Sequence, residues 1–143
     1  MKGGYTLLET VVYIAILALI AVMALGSIFS IYRALSQTLV ERKLTLNGDI
    51  ALETMIREIR AASSVDPSSV LGTNPGTLKI GSKTFSPSNF TTSDVGVTNL
   101  IFYASSTANS AIVKIELSLQ AGGGVFQKTK NFYGSAVMRG AYQ

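Results

Sequence analysis

The chain has 143 residues, with 12 basic and 8 acidic side chains and a formal net charge of +4 at pH 7. It contains neither cysteine nor histidine, which excludes disulfide frameworks, thiol catalysis, zinc sites of the usual ligands and nucleophiles activated by histidine. The length suits one compact domain with an appendage. Hydrophobic residues make up 48% and charged residues 14%, and the apolar excess comes largely from the N-terminal third.

The charged residues give little support for an enzyme or a nucleic-acid-binding protein. Basic side chains are scattered along the sequence rather than clustered, so DNA binding is not supported. Three acids are candidates for catalysis: Asp66 and Asp94 in Ser-, Thr- and Pro-rich segments, where Asp is an ordinary turn former, and Glu116 at a polar position of an alternating strand. Without His, Cys or a clustered set of ligands, we expect no enzyme, no catalytic residue, no metal and no cofactor.

A long apolar run follows the first nine residues. No charged side chain occurs between Glu9 and Arg33, and a bilayer core needs about 20 apolar residues. Glu9 lies near the start of this run, where charge is costly, which indicates a functional site with a partner. The run is too long for a secretory signal peptide, and no Ala-x-Ala cleavage site ends it. A plain signal anchor with Lys2 inside explains the length but not Glu9.

The residues before the run carry a more specific pattern. Gly3 and Gly4 stand immediately ahead of Tyr5, and this segment with the apolar run resembles the N-terminus of the type IV pilin and pseudopilin family. The resemblance implies that a prepilin peptidase cuts after Gly4 on the cytoplasmic face and methylates Tyr5, which stands where the family usually has Phe. The assembly residues that it implies are Thr6, Leu7, Leu8 and Glu9.

The spacing of Tyr5 and Glu9 also has a physical interpretation. Cleavage would create a free amine, with a reference pKa of about 8, at the end of a helix where the macrodipole already concentrates positive charge. When helices stack with an axial offset, Glu9 of one subunit can neutralise the Tyr5 amine of the next. Since an unpaired buried charge costs several kcal/mol, we expect this pair to set the register between subunits.

The resemblance implies a structural subunit, a minor pilin or pseudopilin, of a type IV pilus or type II secretion filament. The implied partners are prepilin peptidase, other pilin-like subunits and an assembly platform. The implied location is the inner membrane, as a single-pass protein with its C-terminal domain outside the cytoplasm, and then the filament or its tip. Residues 53–63 resemble the helix end of J-type minor pseudopilins. Two alternatives stay open: a major pilin, and a single-span membrane-anchored protein whose sheet binds a ligand.

The rest of the sequence predicts an α+β fold in which one long helix lies on an antiparallel sheet. Predicted segments are a leader (1–4), a transmembrane and assembly helix (5–32), an amphipathic helix (33–62) and a globular β-rich domain (63–143). Asn47 and Gly48 mark a weak point in the helix and Gly26 a second one, while Glu53 and Arg57 have the spacing of a stabilising pair. The apolar stripe expected on the upper helix comprises Leu35, Leu39, Leu46, Ile50, Ile56 and Ile59.

Alternation and turn residues predict the strands. A small hairpin is expected at 77–80 and 83–85, with Gly81 and Ser82 in its turn. Residues 111–120 give the clearest pattern, one face apolar and one polar. The other predicted strands are 97–103, 125–133 and a short one at 135–138.

Overall fold

The structure is a computed structural model that describes residues 6–107 and 110–139. The chain divides into two compact units, one ending at Thr38 and one beginning at Leu39. The elements are α1 (Leu7–Ala61), β1 (Leu78–Ile80), β2 (Lys83–Phe85), β3 (Val95–Thr107), β4 (Ser110–Ala121) and β5 (Lys128–Val137), with two short 3-10 turns at Pro87–Asn89 and Gly124–Phe126. The predicted α+β fold, a long N-terminal helix with a C-terminal antiparallel sheet, is confirmed.

In the second unit, one face of α1 packs on the sheet. The buried residues of α1 recur every three or four positions, which is the spacing of a single helix face: Leu44, Gly48, Ala51, Met55 and Ile59. They meet the apolar face of β4, where Val113, Ile115, Leu117 and Leu119 are fully buried. The predicted alternation of residues 111–120 is therefore confirmed, and it supplies the centre of the core.

The predicted apolar stripe of the upper helix is only partly buried: Ile59 is in the core and Ile56 packs against it, but the other four members are exposed. Leu39, Leu46 and Ile50 are 58%, 51% and 64% exposed, and at about 100° per residue they lie on the side of α1 opposite the sheet. We call these three residues the outer ridge. The sheet instead covers a face that includes Gly48 and Ala51, and a search for large apolar residues overlooks such small ones.

Gly48 is a contact point between α1 and β5 rather than a break in the helix. The helix runs through both Gly26 and Gly48, and Asn47 donates a hydrogen bond from its side-chain amide to the carbonyl of Lys43, at 2.8 Å. A Cβ atom at Gly48 would overlap the ring of Phe132, which is itself buried. The absence of a side chain thus allows α1 to approach the sheet closely.

The three long strands form an antiparallel sheet in the order β3-β4-β5. The hairpin β1-β2 pairs Ile80 with Lys83 across Gly81 and Ser82, and Gly81 has a φ of +56°, as a tight turn of this kind requires. This hairpin is confirmed as predicted. The strands predicted at 125–133 and 135–138 are instead one strand, Lys128–Val137, because Gly134 stays paired with Ile115 in the ladder. The predicted start of the first strand is wrong, because Gly124–Phe126 forms a 3-10 turn.

Ion pairs and hydrogen bonds connect both flanks of α1 to the rest of the second unit. On one flank Lys43 Nζ lies 2.7 Å from Asp94 Oδ2 and Lys83 Nζ lies 2.6 Å from Glu58 Oε1. On the other flank Lys128 contacts Glu41, and Lys130 donates to Thr45 at 2.8 Å. Most of these side chains are largely exposed, and such pairs contribute about 0–1 kcal/mol each. They orient the helix, whereas the buried face supplies most of the stability.

We expect Gly48→Ala to destabilise the protein although alanine favours helix. Because the added Cβ would overlap the buried ring of Phe132, we expect a cost in the upper part of the usual range for overpacking, about 1–3 kcal/mol, and so above the gain in helix propensity of about 1 kcal/mol. Urea unfolding in detergent, followed by circular dichroism, measures the change. Gly96→Ala is the control, because nothing lies within 4 Å of a Cβ at that position. Greater stability of Gly48→Ala would show that the close approach is not required.

Candidate assembly site at the start of the helix

The first turn of α1 is closed by Thr6. The helix begins at Leu7, and the backbone N–H of Glu9 donates to Thr6 Oγ1 at 3.3 Å. This bond makes Thr6 the N-cap residue and puts Glu9 at the third helical position. Thr-x-x-Glu ahead of an apolar run is the sequence signature of a capping box. Thr6 and Glu9 therefore have a structural role that their interpretation as assembly residues leaves out.

The carboxylate of Glu9 is held by its own helix. Tyr13 lies one turn further on, and its hydroxyl donates to Glu9 Oε1 at 3.0 Å. Sequence reasoning did not assign Tyr13 to the site, although its spacing of four residues from Glu9 puts both on one helix face. Glu9 is half-buried, whereas Leu7 and Leu8 are 84% and 75% exposed.

Two features of the first turn interact with the Glu9 carboxylate. The unpaired N–H groups at the start of a helix carry the positive end of its dipole, which stabilises a carboxylate in the first turn. The Tyr13 hydroxyl adds a hydrogen bond to one of the two carboxylate oxygens. A carboxylate can accept about four hydrogen bonds, so a further donor can bind without displacing Tyr13.

The part of α1 that follows is apolar and uncovered. The helix is long and apolar enough to cross a membrane, and none of its most apolar 18-residue window is buried. The core helix of a soluble protein would instead be mostly buried, whereas a signal sequence near the N-terminus would pass the same test. Large exposed side chains in this part of α1 include Ile14, Leu17, Ile20 and Met23, each more than half exposed. Among the described residues, one helix is thus able to span a membrane by its length and composition.

The structure places the predicted site residues as follows. Thr6 and Glu9 are joined through the cap, and Leu7 and Leu8 present their side chains outward from the same turn. The predicted cleavage and methylation residues, Gly4 and Tyr5, lie outside the described residues. Their cleavage and methylation, and the intersubunit pair, stay predictions.

The three acids weighed for catalysis each have a separate local partner. Asp66 Oδ1 accepts hydrogen bonds from the hydroxyl and the backbone N–H of Ser68, at 2.7 and 2.8 Å, and these bonds lower the pKa of Asp66. Asp94 pairs with Lys43, and Glu116 pairs with Lys114 on the polar face of β4. Among the described residues no group of three or more Asp or Glu side chains could hold a metal ion.

Comparison of the chain with family models, with curated proteins and with solved structures finds no match in any of the three.

Replacing the cap should loosen the first turn selectively. Thr6→Ala removes the acceptor for the Glu9 N–H and should cost about 1 kcal/mol, which corresponds to about fivefold faster amide exchange at Glu9. Hydrogen exchange by NMR in detergent micelles measures this rate. Thr6→Ser keeps the acceptor and should restore protection. The control is Thr38→Val, which removes a hydroxyl bonded to the Ala34 carbonyl within the helix and should leave exchange in the first turn unchanged. Equal exchange rates at Glu9 in all variants would show that the Thr6 hydroxyl does not cap the helix.

Proposed function

We propose that the protein is a filament subunit of the type IV pilin and pseudopilin kind, in the class of minor subunits. Its N-terminal helix anchors it in the inner membrane, prepilin peptidase removes residues 1–4, and the helix then packs among other pilin-like subunits on an assembly platform. The resemblance of residues 3–9 together with the apolar run supports this proposal. The fold is compatible with the proposal: it consists of a long N-terminal helix and a C-terminal antiparallel sheet.

The observation that carries the proposal is a carboxylate in the first turn of an uncovered apolar helix. Glu9 is half-buried in that turn, next to side chains that a lipid bilayer or other apolar helices would cover. A charge in such surroundings is costly, and its presence indicates a function. In the first turn, Glu9 donates its backbone N–H to Thr6 and accepts a hydrogen bond from the Tyr13 hydroxyl. These local contacts do not require an acid, because a neutral Gln also occurs at the third position of helices capped by Thr.

In the proposed mechanism Glu9 gains a second partner on assembly. Before assembly the helix dipole and the Tyr13 hydroxyl reduce the cost of carrying the Glu9 carboxylate in the membrane. In the filament the Tyr5 amine of a neighbouring subunit takes the free acceptor positions of the same carboxylate. Each charge then compensates the other, so that only one axial offset between subunits leaves no buried charge unpaired.

The outer ridge offers a second contact surface for assembly. Leu39, Leu46 and Ile50 lie on one side of α1 in the second unit and are all more than half exposed. Single exposed apolar side chains are common, but three aligned on one helix face form a surface suited to another helix. In the proposed filament this surface packs against the helix of an adjacent pilin-like subunit.

Processing is the first test of the proposal. We expect mass spectrometry of the mature protein to find Tyr5 as its methylated N-terminal residue. An intact start at Met1 in the natural host would reject the proposal and favour the single-span membrane-anchored protein. Recovery as the most abundant subunit of purified filaments would instead identify a major pilin.

Glu9→Gln removes the charge of this side chain and leaves in place the backbone N–H that donates to Thr6. Gln is accepted at the third position of a capping box, so the first turn should form and cleavage after Gly4 should proceed. Loss of the charge leaves a buried amine unpaired in the filament, at a cost of about 3 kcal/mol, or about a hundredfold in the docking equilibrium. Incorporation into filaments, measured by immunoblotting of the purified filament fraction, should fall accordingly.

The control for this variant is Glu41→Gln. Glu41 is an exposed carboxylate of the same helix, paired with Lys128, and its replacement should leave incorporation nearly unchanged. Normal incorporation of Glu9→Gln would contradict the charge-pair mechanism even if cleavage after Gly4 is found.

The outer ridge is tested by Leu46→Ser combined with Ile50→Ser. Both side chains are exposed, so the fold and its unfolding midpoint should be retained, while incorporation into filaments should fall at least severalfold because apolar contact area is lost. Val70→Ser combined with Val125→Ser removes exposed apolar residues elsewhere and should have no effect. Equal incorporation of the two double variants would show that the outer ridge is not a subunit contact.

A further inference from the structure

A basic groove runs beside the last turns of α1, on the side of β5. It has a volume of about 570 Å³, and its charged residues are Glu53, Arg57, Arg60 and Arg139. A second depression of about 600 Å³ shares Arg60 and Arg139 and extends the surface along residues 135–137 of β5. Ile56 from α1 and Val137 from β5 add apolar contact surface. We call the two depressions together the arginine groove.

The arginines of this groove have no acidic partner among the described residues. The four salt bridges of the described chain involve Lys43, Lys83, Lys114 and Lys128 as the cations. The pair predicted between Glu53 and Arg57 is not formed, although both side chains line the groove. Three guanidinium groups against one carboxylate leave a net excess of positive charge that favours an anionic ligand.

The strand that borders the groove has an open edge. β5 pairs with β4 on one side, and within the described residues no other backbone group bonds to β5. The opposite edge of the sheet is partly covered, because Gly72 and Gly76 donate backbone hydrogen bonds to the carbonyls of Phe102 and Leu100 in the middle of β3, at 2.8 and 2.7 Å. An open strand edge presents unpaired N–H and C=O groups to an incoming extended chain.

Lysine side chains on an edge strand usually hinder its pairing with another chain, but the lysines of β5 do so less. Lys128 and Lys130 are the lysines of β5, and their ammonium groups are held by Glu41 and Thr45 of α1. They are therefore turned toward the helix rather than into the space that a neighbouring strand would occupy. Arg139 lies just past the end of the strand, at the groove.

We propose that the arginine groove binds an acidic peptide segment of a partner protein in extended conformation. The peptide backbone pairs with the open edge of β5 at residues 135–137, and its carboxylates contact Arg60 and Arg139. Arginine suits this role because its planar guanidinium binds a carboxylate through two parallel hydrogen bonds. Alternate side chains of the peptide contact Ile56 and Val137, as in other complexes formed by strand addition. This inference goes beyond the proposed filament function and does not depend on it.

A peptide fits this surface better than a nucleic acid does. An open strand edge offers backbone donors and acceptors in the spacing of another strand, which a nucleic acid cannot use. Binding of single-stranded nucleic acid also relies on aromatic side chains that stack on bases, and none of the described residues lining the two depressions is aromatic.

The test uses a displayed library of random dodecapeptides selected on the full-length protein in detergent micelles. We expect the recovered peptides to be enriched in Asp and Glu and to shift the backbone amide NMR signals of residues 135–137. Arg60→Gln combined with Arg139→Gln should weaken their binding at least tenfold. The charge-matched control, Arg33→Gln combined with Arg42→Gln, should weaken it less than twofold; both pairs are exposed, and unchanged unfolding midpoints verify folding.

Three outcomes would overturn the inference. The first is a set of recovered peptides without acidic enrichment, or no recovered peptide at all. The second is equal loss of peptide binding in the two double variants, which would show that binding depends on the net charge of the protein and not on the arginine groove. The third is stronger binding of a 20-nucleotide oligothymidine that depends on Arg60 and Arg139, since the groove would then be a nucleic-acid site.

Discussion

The close approach of α1 to β5 at Gly48 is the contact on which the second unit depends. With no side chain at Gly48, the ring of Phe132 occupies the space where a Cβ would lie. One and two turns further along, Leu52 and Ile56 lie over Gly134, whose own missing Cβ leaves them room. Two glycines on facing elements thus bring the helix close enough for the apolar face of β4 to be buried. Dense packing of this kind is sensitive to the addition of a single methyl group.

This packing leaves the opposite face of α1 uncovered by the sheet, and two exposed surfaces of the second unit include residues of α1. The outer ridge faces away from the sheet, and the arginine groove opens where the flank of the helix passes the edge of β5. The close packing at Gly48 and Gly134 thus leaves the outer ridge uncovered.

The first turn of α1 combines a structural and a proposed assembly role in the same residues. The Thr6 hydroxyl accepts the backbone N–H of Glu9 in an N-cap of the kind that stabilises soluble helices, and the Tyr13 hydroxyl donates to the Glu9 carboxylate. These contacts make a carboxylate tolerable at the start of an apolar helix, but they do not explain why an acid rather than a neutral amide stands there. The proposed intersubunit pair gives that reason, since only an acid can neutralise a neighbouring amine.

The sequence by itself determined the features that local pattern controls. These are the long helix, the β1-β2 hairpin, the alternation of β4 and the apolar run that begins after Glu9, because helix and strand periods and turn residues act over a few positions. Only the tertiary structure decided that Gly48 rather than Leu46 faces the sheet, that Gly134 continues β5, and that Arg60 and Arg139 meet in one groove. These outcomes depend on contacts between residues distant in sequence, where shape complementarity between α1 and β5 outweighs the hydrophobicity of individual side chains.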